Sequence, residues 1–180
     1  MGICAAANGH CSSAASDSLI LRGGRGDDLL FGGRGDDFLD GGSGADVMLG
    51  GKGSDTFVAR IGDGSADMSE VDAVYDFEDG SDVIGLECLS YQEITIEQGN
   101  TENSGDVFIH YQDEYLLSLK GITSSSISAP DFSSISECDQ DDDGVKDHID
   151  AFPDDPSEVL DTDEDATWCE SFSTKNSCFS

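Results

Sequence analysis

GGRGDDLLF (23–31), GGRGDDFLD (32–40), GGSGADVML (41–49) and GGKGSDTFV (50–58) follow one another without a gap. The period is nine residues. Glycine fills the first, second and fourth positions of all four copies, and aspartate fills the sixth: Asp28, Asp37, Asp46 and Asp55. A large apolar residue fills the eighth: Leu30, Leu39, Met48 and Phe57. Twelve of the 22 glycines lie in these 36 residues, so glycine here is local punctuation. It permits positive φ and close backbone approach, which lets the first half of each copy form a tight loop with its carbonyls turned inward. The three residues after the aspartate suit a very short strand whose middle side chain points inside. Carboxylates beside inward carbonyls form the donor set of a hard cation, and Ca²⁺ takes about six to eight such oxygens. A disordered Gly/Asp linker is the competing reading, but linkers do not keep a strict apolar eighth position.

The repeat resembles the calcium-binding nonapeptide of RTX (haemolysin-type) proteins. In that family two nonapeptides make one turn of a right-handed parallel β-roll, with calcium between a loop and the loop two copies later. The resemblance implies an all-β fold in which loop 23–28 pairs with 41–46 and loop 32–37 with 50–55. It implies several Ca²⁺ ions, held in the first copy by Gly23, Arg25, Gly26 and Asp28. The second copy offers Gly32, Arg34, Gly35 and Asp37, the third Gly41, Ser43, Gly44 and Asp46, and the fourth Gly50, Lys52, Gly53 and Asp55. A degenerate unit precedes these. Asp17-Ser18-Leu19 fits the sixth to eighth positions, but the next glycine pair comes two residues late, and the role of Asp17 stays open. Arg-Gly-Asp occurs at 25–27 and 34–36, but the repeat already accounts for its glycines, so an integrin reading is not needed.

The seventh and ninth positions of copies one and three are apolar: Leu29, Phe31, Val47 and Leu49. They are expected to share one sheet and point outward, and free exposure of such a face is unusual. The segment 59–135 or a partner domain is therefore expected to cover it.

Glycine thins from 59 to 135, and apolar segments at 71–77, 94–96, 107–111 and 115–119 read as short strands between polar turns. VDAVYDFEDGSDVIGL (71–86) resembles the segment that closes the β-roll in secreted RTX metalloproteases (serralysins), with LLSLKG (116–121) and Asp131-Phe132 fitting the end of that module. Asp72, Asp76, Asp79 and Asp82 fall at or near its acidic positions; solvated turn residues are the alternative for each. A roll needs such a cap, because its last strands would otherwise leave open edges.

DQDDDGVKDHID (139–150) is a second calcium motif. Asp139, Asp141 and Asp143 precede Gly144; Val145 offers a carbonyl, and Asp147 and Asp150 complete most of an EF-hand loop pattern. Pro153 and Pro156 oppose the helix that should follow. The stretch through Asp165 instead resembles the thrombospondin type 3 repeats of bacterial surface proteins, which wrap calcium with little core. An acidic disordered tail is the alternative.

The chain has 180 residues and carries 39 Asp and Glu against 8 Lys and Arg, a net charge of −31. That excludes nucleic acid and anionic membrane surfaces as natural partners. No apolar run approaches a membrane span, so no membrane insertion is expected. No secretory signal is expected in the first twenty residues, which lack a basic start and an apolar stretch. The six cysteines (Cys4, Cys11, Cys88, Cys138, Cys169 and Cys178) lack zinc-site spacing and fit disulfides in an oxidising compartment. Cys138 with Cys169, Cys169 with Cys178, and Cys4 with Cys11 are candidate pairings; six cysteines leave the choice open. Type I-secreted RTX chains seldom contain cysteine, which puts the export route in question.

No His-Glu-x-x-His, Gly-x-Ser-x-Gly or Walker loop occurs. The expected organisation is a leader without stable structure (1–16), an RTX β-roll (17–58), a capping β segment (59–135), a thrombospondin type 3-like calcium segment (136–165) and a Cys-containing tail (166–180). The expected function is a non-enzymatic, extracellular calcium-binding module that supports or presents a linked domain. The alternatives are the C-terminal fragment of a secreted RTX enzyme, a protease or lipase, or of a surface adhesin.

Overall fold

The computed structural model describes residues 18–100 and 103–136, together with the strands Gly2–Ala5, His10–Ser12, Glu158–Leu160, Trp168–Phe172 and Lys175–Phe179. Each nonapeptide becomes a loop and a short strand, and successive strands fall on opposite sheets. β1 (Gly2–Ala5), β3 (Leu19–Arg25), β5 (Phe38–Ser43) and β7 (Thr56–Arg60) lie side by side in one sheet. β2 (His10–Ser12), β4 (Leu29–Arg34) and β6 (Val47–Lys52) lie in the other. All of these neighbours are parallel, with Leu21 beside Leu39 and Leu30 beside Met48. Two repeats therefore complete one turn of a parallel β-roll.

Alternation within each strand sends the eighth position inward. Leu21, Leu30, Leu39, Met48 and Phe57 are all buried between the sheets. The glycine pair lets the chain leave the strand at once. Gly42 takes a φ of 88°, and a Cβ there would run into the carbonyl oxygen of Gly24 one turn below. A side chain at this position would thus prevent adjacent turns from stacking.

The roll continues into the following segment. β9 (Val83–Glu87) and β13 (Phe132–Ser136) extend the first sheet. β8 (Ala73–Val74) joins β6 in the second, followed outward by β12 (Glu114–Leu119), β11 (Val107–Tyr111) and β10 (Thr95–Gln98). β10, β11 and β12 pair antiparallel, with a register shift between Ile109 and His110. The inner column gains Val74 and Ile84, and the core then widens through Leu86, Val107, Ile109, Leu117 and Leu119. Of the apolar run 71–77 only Ala73–Val74 pairs as strand. The flanking Asp72 and Asp76 carboxylates are engaged with the turn below, and Phe77 drops into the core.

The segment 1–16, expected to be a leader without stable structure, holds the described strands β1 and β2, which stack beneath β3 and β4, where strand N–H and C=O groups are open to pairing. Their register sets Cys4 beside Leu21 and Cys11 beside Leu30, one turn below the inner column. The segment 59–135 does not cover the outer face of β4 and β6. Leu29 is 37% and Phe31 41% exposed, with Tyr75 at 55%, while Val47 and Leu49 are half-buried. The reason is topological: β8, β12, β11 and β10 lengthen that sheet sideways instead of folding over it.

Roll and cap form one compact unit, Met1–Ile135, so the change at residue 58 is a change of topology and not a boundary. The second unit is Ser136–Ser180. Within it β14 (Glu158–Leu160), β15 (Trp168–Phe172) and β16 (Lys175–Phe179) form an antiparallel sheet, with Cys169 opposite Cys178. β14 falls in the 136–165 segment, and β15 and β16 in the Cys-containing tail 166–180, where they are near enough in sequence to pair as a hairpin.

Candidate metal centre

The loops of the roll stack along its two long edges. On one edge lie the loops 26–28 and 44–46, with Asp72 above them. On the other lie 35–37 and 53–55, with Asp82 above. These are the expected pairings of 23–28 with 41–46 and of 32–37 with 50–55. The Gly26 N–H donates to the Ser43 carbonyl at 2.7 Å, and the Gly35 N–H to that of Lys52 at 2.8 Å. Each of these third-position carbonyls keeps a second lone pair. The Arg25, Arg34 and Lys52 side chains are exposed, so the loops present backbone at these positions.

The sixth-position aspartates form a ladder. In three of them one carboxylate oxygen accepts a backbone N–H from the turn below: Asp37 from Leu19 at 2.8 Å, Asp46 from Asp28 at 2.7 Å, and Asp55 from Asp37 at 2.8 Å. Asp72 accepts the Asp46 N–H at 2.9 Å and Asp82 that of Asp55 at 3.0 Å. All six aspartates (Asp28, Asp37, Asp46, Asp55, Asp72 and Asp82) are buried. The Oδ2 atoms of Asp37 and Asp46 are buried without a hydrogen-bond partner. Such an atom costs about 1–3 kcal/mol, more when charged, unless something fills the gap.

The first-position glycines mark where that something belongs. A Cβ on Gly32 would meet the Asp37 Oδ2, and the Gly50 carbonyl oxygen at 2.6 Å. A Cβ on Gly41 would meet the Asp46 Oδ2, and the Asp72 Oδ2 at 2.7 Å. Gly23 and Gly50 face Asp28 and Asp55 in the same way. Each cradle is thus kept open by the absent side chain and faced by carboxylate oxygen, joined at Gly23 and Gly32 by a carbonyl oxygen from the turn above. Among the described residues no three His, Cys, Asp or Glu side chains gather as a metal cluster. The cradle is built of carbonyls with a carboxylate from each turn, which suits Ca²⁺ and not a softer ion.

The electrostatics agree. Burial pushes the Asp37, Asp46, Asp55 and Asp82 carboxyls above the ordinary range, Asp55 to about 6, although backbone hydrogen bonds pull the other way. Asp72 is pushed up to about 8, again by burial first, with the Asp46 charge adding to it. Without a cation this column of carboxylates is under strain that divalent charge relieves.

Several residues act here that repeat reading left open. Asp72 and Asp82 continue the ladder across separations of 26 and 27 residues, where the repeats use 18. Their signal was present: Val74 and Ile84 stand two residues after them, as Leu30 stands after Asp28, and both are fully buried. Asp76 accepts the Gly50 and Gly51 N–H groups, both at 3.0 Å, closing the last loop. Asp79 is exposed. The Arg-Gly-Asp aspartates bind the loops two copies on: Asp27 accepts the Ala45 N–H and Asp36 the Ser54 N–H. Cys88 is disulfide-bonded. Asp17 and the second motif, Asp139, Asp141, Asp143, Val145, Asp147 and Asp150, lie outside the described residues.

Residues 22–57 match the RTX calcium-binding nonapeptide repeat, in four copies. No curated protein matches the chain. Among solved structures, the chain is similar to the AlgE6R3 subunit of the Azotobacter vinelandii mannuronan C5-epimerase, with a TM-score of 0.51 at 24% identity over 72% of this chain and 80% of that one. It is also similar to the AlgE6R2 subunit of the same enzyme, with a TM-score of 0.51 at 20% identity over 74% of this chain and 92% of that one. The repeats are calcium-binding RTX repeats, their number provides for several ions, and the fold is the β-roll.

Proposed function

We propose that this chain is an extracellular, non-catalytic module that folds on meeting calcium and thereby supports or presents a linked domain. The observation that carries this reading is the pair of buried, partnerless carboxylate oxygens on Asp37 and Asp46, each aimed at a glycine cradle. A bound Ca²⁺ supplies the positive charge that those oxygens lack. Asp28 and Asp46 with the carbonyls of their loops would hold ions on one edge, and Asp37 and Asp55 on the other. Asp72 and Asp82 would close the two columns. The chain itself turns one carboxylate oxygen to the neighbouring backbone, leaves the other for metal, and keeps the space clear with glycine. Extracellular calcium modules bind at about 10⁻⁴–10⁻³ M, so folding would be withheld at cytosolic calcium and triggered outside. Among the described residues no helix is long and apolar enough to cross a membrane.

A second reading makes the chain a repeat subunit of a larger secreted enzyme. The likeness to subunits of an epimerase favours it. Coding sequence adjoining this chain that carries a catalytic motif would decide for it.

Circular dichroism with chelator, Ca²⁺ and Mg²⁺ tests the calcium trigger. The expected result is β signal in the roll that rises at millimolar Ca²⁺ and responds poorly to Mg²⁺, which demands tighter octahedral geometry. An unchanging spectrum, with no calcium uptake by calorimetry, would overturn it.

A further inference from the structure

In so acidic a chain the few cations are informative. There are 8 Lys and Arg, yet three of them, Arg22, Arg25 and Arg60, line one cavity of about 340 Å³. Arg22 and Arg25 come from β3, Asp40 from β5 and Arg60 from β7, with Asp63 at the rim. Gly24 and Gly42 contribute only backbone, which leaves the cavity open between the arginines.

The three arginines are not equally committed. Arg60 is engaged at every nitrogen: Nε meets Glu87 at 2.6 Å, Nη2 meets Asp40 at 2.9 Å, and Nη1 meets Asp63 at 3.2 Å. Arg22 reaches Asp40 with one nitrogen, Nη1, at 3.5 Å, and its side chain is 59% exposed. A guanidinium carries five donors, so most of this one remains unused. Arg25 is exposed and makes no ion pair among the described residues. If these arginines only balanced charge, a chain with so many carboxylates should have satisfied all three. Instead the buried Asp40 pairs with both Arg22 and Arg60, while Arg22, through most of its donors, and the exposed Arg25, also on the cavity wall, are left without a carboxylate partner among the described residues.

We propose that this cavity is a binding site for an oxyanion carried by a small ligand, gripped by Arg22 and Arg25, with Asp40 as the residue that positions Arg22. Guanidinium presents planar, paired donors that match a carboxylate or sulfate, which an ammonium does not. The site borders the calcium loops at Arg25 and Ser43 but uses the Arg25 side chain, where calcium would take backbone oxygen, and calcium uptake measured in parallel keeps the two readings distinguishable.

The test uses the full chain in saturating calcium, with sodium sulfate and sodium D-glucuronate as probes and glucose as the uncharged control. NMR of the arginine Nε–H signals follows binding, and calcium uptake is measured in parallel. Saturable shifts of the Arg22 and Arg25 signals with an anionic probe, and none with glucose, are expected. Tighter binding of glucuronate assigns a carboxylate on a hydroxylated carrier; sulfate binding as tightly assigns a free inorganic oxyanion. Arg22→Gln should weaken binding about tenfold or more, and Arg22→Lys should weaken it too, because charge without the fork does not suffice. Lys120→Gln, an equal change of charge in the cap, should leave it unaltered. Equal weakening by Arg22→Gln and Lys120→Gln would mean general attraction and would overturn the proposal. So would the absence of saturable binding by both probes in protein that takes up calcium.

Discussion

Replacing Asp55 by Asn should move the calcium-free and calcium-bound proteins in opposite directions. Asn keeps the oxygen that accepts the Asp37 N–H at 2.8 Å and removes the charge. Burial, with the charges of Asp82, Asp37 and Asp76, raises the Asp55 carboxyl from 3.8 to about 6. At about 1.4 kcal/mol per pH unit, ionising it in the folded chain near neutral pH costs about 3 kcal/mol. Gly53 and Ser54 beside it are exposed, so water screens part of that, and about 1–2 kcal/mol is the expected gain on removing the charge. Calcium loses a charged ligand at the same stroke. A tenfold loss of affinity removes about 1.4 kcal/mol of calcium-linked stability at saturation, for each site that Asp55 serves. In chelator, Asp55→Asn should acquire its β signal at a lower concentration of stabilising osmolyte than the parent chain. In a calcium titration its midpoint should move to higher calcium. If the variant needed more osmolyte in chelator, the burial of carboxylate charge and its repulsion by neighbours would not be what opposes the calcium-free fold.

Proton linkage follows the same logic. The Asp55 and Asp72 carboxyls are raised from 3.8 to about 6 and about 8, so their folded forms hold protons that the unfolded chain has released. Their contribution is full below the unfolded value and is lost as pH rises through the folded ones. In chelator, acid should therefore increase the β signal between about pH 8 and pH 5, whereas calcium affinity should fall over the same range because protons compete for the oxygens. Gly32→Ala would push a methyl against the Asp37 Oδ2 and the Gly50 carbonyl at 2.6 Å, and calorimetry should show affinity on that edge reduced by about tenfold or more. Gly105→Ala, with nothing within 4 Å of the new methyl, should stay within about 0.5 kcal/mol of the parent chain. Arg60→Met strips the shared cation from Asp40, Asp63 and Glu87, and denaturation in calcium should show a loss of about 2 kcal/mol.

The exposed stripe of Leu29, Phe31 and Tyr75 shows where pattern reading stops. Alternation correctly put Leu29 and Phe31 on the outer side of β4, because strand geometry alone decides the side. Whether anything lies over that side depends on where the next strands go. They went to the sheet margin, a choice made by the pairing of β8 with β6 and of β12 with β8.

For this chain the nine-residue period by itself determined the loop-and-strand unit, the inward column from Leu30 to Phe57, and calcium as the cation, while the roll and the pairing of loops two copies apart came with the resemblance to RTX repeats. The first three are local consequences of glycine at fixed places and of an oxygen-only donor set. Only the tertiary structure decided which oxygen of each aspartate serves the backbone and which remains for metal. It alone recruited Asp72 and Asp82 to the ladder across longer separations, and placed Arg60 among three carboxylates from β5, β9 and the turn after β7. These depend on distances between turns that have no common spacing in the sequence, and such distances are fixed only when the two sheets close on a shared core.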